Sequence, residues 1–502
     1  MKRCIFPNAP LSFPRPTGLS ASMKLVPALL ILTTVISARA DVTLSPIIGS
    51  HMVLQRDGAC PVWGWADADE EVTVEFSGQK KTAKPDAAGK WMVKLDAMKA
   101  NATSQAMTIR GKNTLTLEDI VVGDVWLCSG QSNMEWTVAG AANPKEEIAA
   151  GNHPLIRQIK VNNPGAVKPE EKVIGSGWKN ASPQTIGEFT AVGYYFAREV
   201  RKDVDVPIGL LSANWGGTRI EPWVPPQGFK AVPALKDIAD KLAEFPKTTE
   251  KPDKADPAKM VVSVNHQTPL ALFNGRIAPL VPFGIRGALW YQGESNVGEG
   301  MLYLEKMKGL IAGWRDVWQM PDMPFYYVQL APFIYKGANP EALARIWEAQ
   351  TAALKIPHTG MAVLTDIGHT TDIHPKNKQE VGRRLALWAL AKDYGKKGLE
   401  FSGPVYKAAA FDEGKATLTF DHGKGMKSKD GQPFTHFLIA GEDKTFVPAK
   451  AEIVGDTIVV SAEGVAKATA VRFGWSQDAE PNLFNAAGLP ASPFRTDDWP
   501  VK

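Results

Sequence analysis

Trp126–Trp136 reads WLCSGQSNMEW, and Trp290–Val297 reads WYQGESNV. Each is a run of apolar residues that ends in Gly-x-Ser-Asn. A short, continuous apolar run closed by a glycine turn is the pattern of a strand buried on both faces, as in a parallel sheet. Ser132 and Ser295 therefore fall just past two buried strands. The sequence asks whether either is a nucleophile, and if so which.

Working outward, similar runs recur between Ile120 and Gly398: VPIGLLSANWGG, PFYYVQLAP and GMAVLTDIG. They alternate with helical stretches, FTAVGYYFAREVRKD, YLEKMKGLIAGWRDVW and ALARIWEAQTAALK. Buried strands alternating with amphipathic helices predict an α/β fold, a parallel sheet flanked by helices. Ligands of such sheets sit beyond the carboxyl ends of the strands. Both Gly-x-Ser-Asn stretches fall at such ends, and so do NWGGT (Asn214–Thr218) and DIGHTTDIHP (Asp366–Pro375). Four polar loops on one rim make a candidate site that does not depend on any one motif.

On either side the pattern becomes strand-like. Residues 41–118 carry CPVWGWA, EEVTVEFSG and KWMVKLDA, with DAAGKW as a hairpin turn, and predict a small β-sandwich-like domain without a useful helix. Residues 119–400 form the predicted catalytic domain, with Pro225–Lys259, rich in Lys, Pro and Asp, as a solvated surface insertion. Residues 401–502 return to strands (KATLTF, FTHFLIAG, DTIVVSA, ATAVRFGW) and predict a C-terminal β-sandwich-like domain. The coil SQDAEPNLFNAAGLPASPF is expected to pack back on the centre. Three domains suit a chain of 502 residues.

Residues 1–40 read as a leader. MKLVPALLILTTVISARA (Met23–Ala40) has a Lys, an apolar run and a small-x-small end, the layout of a secretory signal peptide, with Met23 as the expected start. Secretion or a periplasmic location follows, and no other segment is apolar and long enough to predict a membrane span. The leader holds five of the 57 basic residues and no acidic one, so its removal leaves 52 against 53 acidic. A near-neutral mature chain gives no reason to expect a nucleic-acid partner. Cys60 and Cys128 then remain, and Cys128, inside an apolar run, is expected to be a buried free thiol. No Cys and His spacing suggests a zinc site, so no metal is predicted. The fifteen Trp are read first as core, although exposed aromatics are one way to hold sugar rings.

A serine hydroxyl needs a base to take its proton and a third group to orient that base. Of the eight histidines, only His369 and His374 share a rim loop with carboxylates. Asp366 is three residues from His369, and Asp372 is two from His374. His374 is followed by Pro375 and the helical run KNKQEVGRRLALWALAK, which fixes its position, whereas His369 lies in the more pliable part of the loop. An oxyanion requires donors aimed at the developing charge. Candidates are the N–H groups of Ser132 and of Gly216 or Gly217, and the side-chain amide of Gln292 or Asn296. Glu294 beside Ser295 disfavours Ser295, because a carboxylate there opposes a developing negative charge.

The set SGQSNMEW, NWGGTRIEPW, LFNGRIAPL, GALWYQGESN and DIHPKNKQEVGRRLAL resembles the sialate O-acetylesterases of the SGNH hydrolase superfamily, from about Asp41 to the C-terminus. The resemblance implies an SGNH-hydrolase-like sheet, Ser132 as nucleophile, His374 as base and an oxyanion role for the Trp290–Val297 block. It implies no cofactor and no metal. Two departures stand out. The superfamily's third block is Gly-x-Asn-Asp, whereas here it is Gly293, Glu294, Ser295, Asn296, which makes Gln292 the first choice of side-chain donor. The superfamily has Asp three residues before its His, where this chain has Thr371, so Asp372 is the expected third member, with Asp366 as the alternative or a near-dyad as the outcome. The implied activity is removal of acetyl groups from an O-acetylated sugar or glycan, sialic acids first. The rivals are a xylan or pectin-type acetylesterase and a non-catalytic carbohydrate-binding protein. The oligomeric state is left open by the sequence.

Overall fold

The computed structural model describes residues 41–242 and 264–500, with two short paired strands, Glu250–Pro252 and Met260–Val262, between them. The leader, including Met23–Ala40, lies outside the described residues.

The fold is built on one long strand, β1 (Thr114–Gly130). Its first residues, TLTLED, alternate between exposed and half-buried, while everything from Ile120 to Gly130 is buried. The change marks where a one-sided sheet becomes a two-sided one. The first half pairs antiparallel with Asn101–Arg110, which pairs with Val72–Phe76, and that strand pairs with Gln79–Ala83. The second half lies at the centre of the α/β sheet.

That sheet adds β2 (His153–Lys160), β3 (Trp178–Ala181), β4 (Ile208–Asn214), β5 (Gly287–Tyr291), β6 (Phe325–Val328) and β7 (Thr359–Ala362). The order is β3-β2-β4-β1-β5-β6-β7, parallel throughout except for the edge strand β3. Helices cover both faces, because neighbouring strand residues point to opposite sides. On β6, Phe325 meets Trp314 of the helix Leu302–Val317, and Tyr326 meets Trp388 of the helix Lys378–Lys392. Phe196, on the helix Ala191–Asp203, packs on Trp126 at the Tyr326 face. This is a mixed α/β fold around a central mixed sheet, with smaller antiparallel sheets beside it.

Several sequence expectations change here. The 118/119 boundary falls inside β1, so the N-terminal part continues into the central sheet without a linker. That part is still two-layered: a three-stranded sheet of Thr43–Leu44, Cys60–Trp65 and Lys90–Leu95 contributes Trp63, Trp91 and Val93 to the main core. DAAGKW is a tight turn held by Asp86, whose Oδ1 accepts from the N–H of Ala88 and of Lys90. The strands it joins, however, belong to different sheets. The start of the expected insertion is not solvated. Phe229 and Leu235 are buried, and Gly228 packs so closely on Gly309 that a Cβ would meet its carbonyl at 2.2 Å. Much of the rest, 243–249 and 253–259, lies outside the described residues.

The C-terminal strands form two four-stranded antiparallel sheets with their own core, including Leu418, Ile439, Ile458 and Phe473. The coil after Trp475 does reach the centre: Gln477 Oε1 accepts from Tyr335 N–H, and Ser492 Oγ accepts from Gln329 Nε2. Cys60 and Cys128 are both buried free thiols. Among the described residues no helix is long and apolar enough to cross a membrane.

Candidate active site

Four loops leave the carboxyl ends of β1, β4, β5 and β7 and carry the residues nominated above. Gly130 closes β1 at φ 136°, where a Cβ would lie 2.2 Å from the Tyr291 carbonyl oxygen, so only glycine fits between β1 and β5. The chain then turns at Gln131, whose N–H donates to that same carbonyl, into the one-turn helix α1 (Ser132–Glu135). Ser132 is the first residue of α1, and the first N–H groups of a helix have no intrahelical acceptor.

His374 arrives from the loop after β7. Its Nε2 lies 2.9 Å from Ser132 Oγ. Asn377 caps the following helix, α2 (Lys378–Lys392), by accepting from the N–H of Glu380, which anchors the loop three residues beyond His374. The indole of Trp136 stacks on the imidazole at 4.6 Å and 21°. Burial holds the imidazole below the usual histidine value, helped by the positive charges of Lys378 and Lys376 and opposed by Asp372.

Asp372 is near but is not bonded to the ring. Its Oδ1 accepts from the backbone N–H of His374 at 2.9 Å and stands 3.9 Å from Nδ1. Asp366 is committed elsewhere: both its oxygens hold the buried Arg384, at 2.6 and 2.7 Å. His369 turns away, bonded through Nδ1 to Thr371 Oγ1.

The nominated oxyanion donors fare differently. Gly216 adjoins the nucleophile loop, since a Cβ on it would lie 3.4 Å from Ser132 Cβ, but its N–H donates to Glu135 Oε2 at 2.7 Å. Gly217, at φ 70°, would direct a Cβ into open space, and its carbonyl accepts from Gln267 Nε2 at 2.6 Å. Gln292 is fully buried and turned from Ser132; its Nε2 donates to the Thr218 carbonyl and Asn296 Oδ1, and its Oε1 accepts from Tyr303. Asn296 is equally engaged, donating to Glu221 and Glu299. These two amides brace the loops under the site and leave no free donor for the oxyanion.

The structure also assembles a group that sequence reasoning passed over. Asn133, next to Ser132 and buried, donates to Glu294 Oε1 at 2.6 Å and to the Ile373 carbonyl at 3.0 Å. Its Oδ1 accepts from Lys378 Nζ. One amide thus ties the serine loop to the residue before His374 and to the first residue of α2. Burial pushes the Lys378 ammonium down to about 7 and the Glu294 carboxyl up. The only sequence signal was the Ser-Asn order itself, which says nothing of partners more than 160 residues away.

A serine hydroxyl bonded to a histidine at the carboxyl rim of an α/β sheet has the parts of a serine-dependent ester hydrolase. The carbohydrate esterase, sialic acid-specific acetylesterase family model matches residues 274–391. The mouse sialate O-acetylesterase is 30% identical over 514 residues, covering 91% of this chain and 95% of the mouse protein. The human one is 29% identical, covering 91% and 93%. A carbohydrate acetylesterase from Xanthomonas citri has a solved structure that superposes with a TM-score of 0.82 at 40% identity, covering 91% of this chain and all of that one. The protein is a carboxylic ester hydrolase of the carbohydrate esterase class. It belongs to the sialate O-acetylesterase family.

Proposed function

We propose that the protein removes O-acetyl groups from sialic acids through an acetyl-enzyme on Ser132, in an SGNH-hydrolase arrangement. The observation that carries this is the 2.9 Å contact between Ser132 Oγ and His374 Nε2. The substrate class follows the names of the mouse and human relatives.

Ser132 Oγ attacks the acetyl carbonyl carbon as its proton passes to His374 Nε2. The oxyanion is met by the Ser132 N–H at the start of α1 and by the loop glycine Gly217. Gly216 joins them only if Glu135 releases its N–H. The tetrahedral intermediate collapses, and the sugar alkoxide leaves with the proton from His374. Water then attacks the acetyl-enzyme, giving its proton to His374, and acetate departs as Ser132 regains it. Asp372 fixes the His374 backbone and places a negative charge near the imidazolium. The leader Met23–Ala40 directs export to the periplasm or medium.

Ser132→Ala is expected to lower kcat for acetate release from O-acetylated sialic acid by roughly four to six orders of magnitude and to abolish fluorophosphonate labelling. Ser295→Ala keeps both within about tenfold, since among the described residues no histidine bonds to Ser295 Oγ and the neighbouring Glu294 is held by Asn133. Labelling that survives Ser132→Ala and is lost in Ser295→Ala would reverse the assignment.

A further inference from the structure

Among the described residues, two larger cavities open on the amino edge of the sheet, beside His358 and beside Arg286, away from Ser132. A smaller one, of about 300 Å³, lies on the carboxyl edge and shares Glu135 with the active site. Glu135 is the last residue of the helix that begins at Ser132, and it holds the N–H of Gly216, which adjoins Ser132. Glu135 therefore stands between the cavity and the loops that carry Ser132 and Gly216.

Its lining has a definite chemistry. Gln158, which lines the cavity, is 4% exposed; its Oε1 accepts from the Thr190 N–H, while its Nε2 has no protein partner among the described residues. Asn162 and Ser176, both exposed, add amide and hydroxyl groups with no protein partner among the described residues, and the buried Phe189 closes the lining. The charges are already matched: Lys160 stands 3.5 Å from Glu135, and Lys179 stands 2.8 Å from Glu188. Lys160 also donates to Asn214 Oδ1. A buried amide donor left open and further neutral polar groups suit a hydroxyl-bearing ring. Paired cations give little to a carboxylate.

We propose that this cavity is a subsite for an uncharged, polyhydroxylated part of the acetylated sugar, held beside Ser132 by hydroxyl recognition at Gln158, Asn162 and Ser176. The proposal rests on Ser132 being the nucleophile. It places any carboxylate of the substrate outside this cavity.

The test compares kcat/KM for a sugar acetate with kcat/KM for 4-nitrophenyl acetate, which is too small to need the subsite. The sugar substrates are O-acetylated sialic acid and acetylated xylo-oligosaccharides. Ser176→Trp places a bulky ring at the cavity mouth from an exposed loop, and Asn162→Ala removes an exposed amide, so neither threatens folding. In Ser176→Trp the sugar-to-phenyl ratio is expected to fall about tenfold or more, the effect of one or two lost polar contacts. Asn162→Ala is expected to lower it severalfold. An unchanged ratio in both variants, with a wild type active on sugar acetates, overturns the subsite alone. Persistence of both activities in Ser132→Ala overturns the nucleophile assignment beneath it. A wild type that hydrolyses 4-nitrophenyl acetate through Ser132 and neither sugar acetate overturns the sugar reading and the subsite together.

Discussion

Asp372 Oδ1 lies 3.9 Å from His374 Nδ1 while accepting the His374 backbone N–H at 2.9 Å, so its hydrogen bond goes to the chain and not to the ring. In Asp372→Asn the amide oxygen still accepts that N–H, and only the negative charge is lost. The expected fall in kcat is about tenfold, far short of the roughly 10⁴ seen when a carboxylate bonded to the imidazole is neutralised. Asp366→Asn breaks a buried bidentate pair with Arg384, so its loss is expected in the urea midpoint first and in kcat only secondarily. Measuring kcat and urea unfolding on both variants separates these outcomes. A collapse of kcat in Asp366→Asn at unchanged stability would move the orienting role there. At this scale the sequence was readable where chain direction decided the matter: Pro375 and the helix after it favoured His374 over His369. It was silent where side-chain rotation decided. Gln292 and Asn296 lie at the expected rim, yet their amides turn inward to Thr218, Glu221 and Glu299.

The elements that carry the site also set its working pH. Burial lowers the proton affinity of His374, the charge of Lys378, which α2 brings to Asn133, lowers it further with that of Lys376, and Asp372 opposes them. A base whose proton affinity is lowered stays neutral, and so competent, as the pH falls below the ordinary histidine value of 6.5. The acid limb of kcat/KM is therefore expected to have its midpoint below that value. Lys378→Met keeps the bulk and removes the charge, which raises the affinity of His374 for its proton and moves the limb to higher pH. A limb that stays in place would mean that burial alone sets it; a limb at or above 6.5 in the wild type would overturn the reading of the imidazole. The strands behind this rim were legible because short apolar runs bounded by turn residues alternate with amphipathic helices, the pattern of a parallel sheet. The Asn133 bridge was not, since hydrogen bonds across 161 and 245 residues leave no period in the sequence.

At the scale of the molecule, the change at Ile120 was read as a domain border. It is the point where a continuing strand gains cover on its second face. Composition registers burial, and burial changed here without the chain changing element. The same continuity ties the N-terminal residues to the centre: Asp124, buried on β1, holds Arg56 at 2.9 Å and Arg286 at 3.3 Å. It also shows which contacts the first described residues make. Val42 is buried, its N–H donates to Asn113 Oδ1, and its carbonyl accepts from Asn113 Nδ2. Thr43 and Leu44 then pair with Trp65 and Gly64. Cleavage after Ala40 leaves all of these contacts intact, and cleavage a few residues later removes them. If the proposed leader is removed after Ala40, N-terminal sequencing of the exported protein is expected to begin at Asp41, upstream of all these contacts. A chain beginning at Asp41 is expected to fold and act as the exported protein does. One beginning at Pro46 loses the buried Val42 and Ser45, their hydrogen bonds with Asn113, Val173 and Ile48, and an edge strand, and its urea unfolding free energy is expected to drop by on the order of 3 kcal/mol or more. An exported protein that starts beyond Val42, or a chain from Pro46 as stable as one from Asp41, would show that these contacts do not set the start. Protein kept in the cytoplasm with residues 23–40 still attached would overturn export itself.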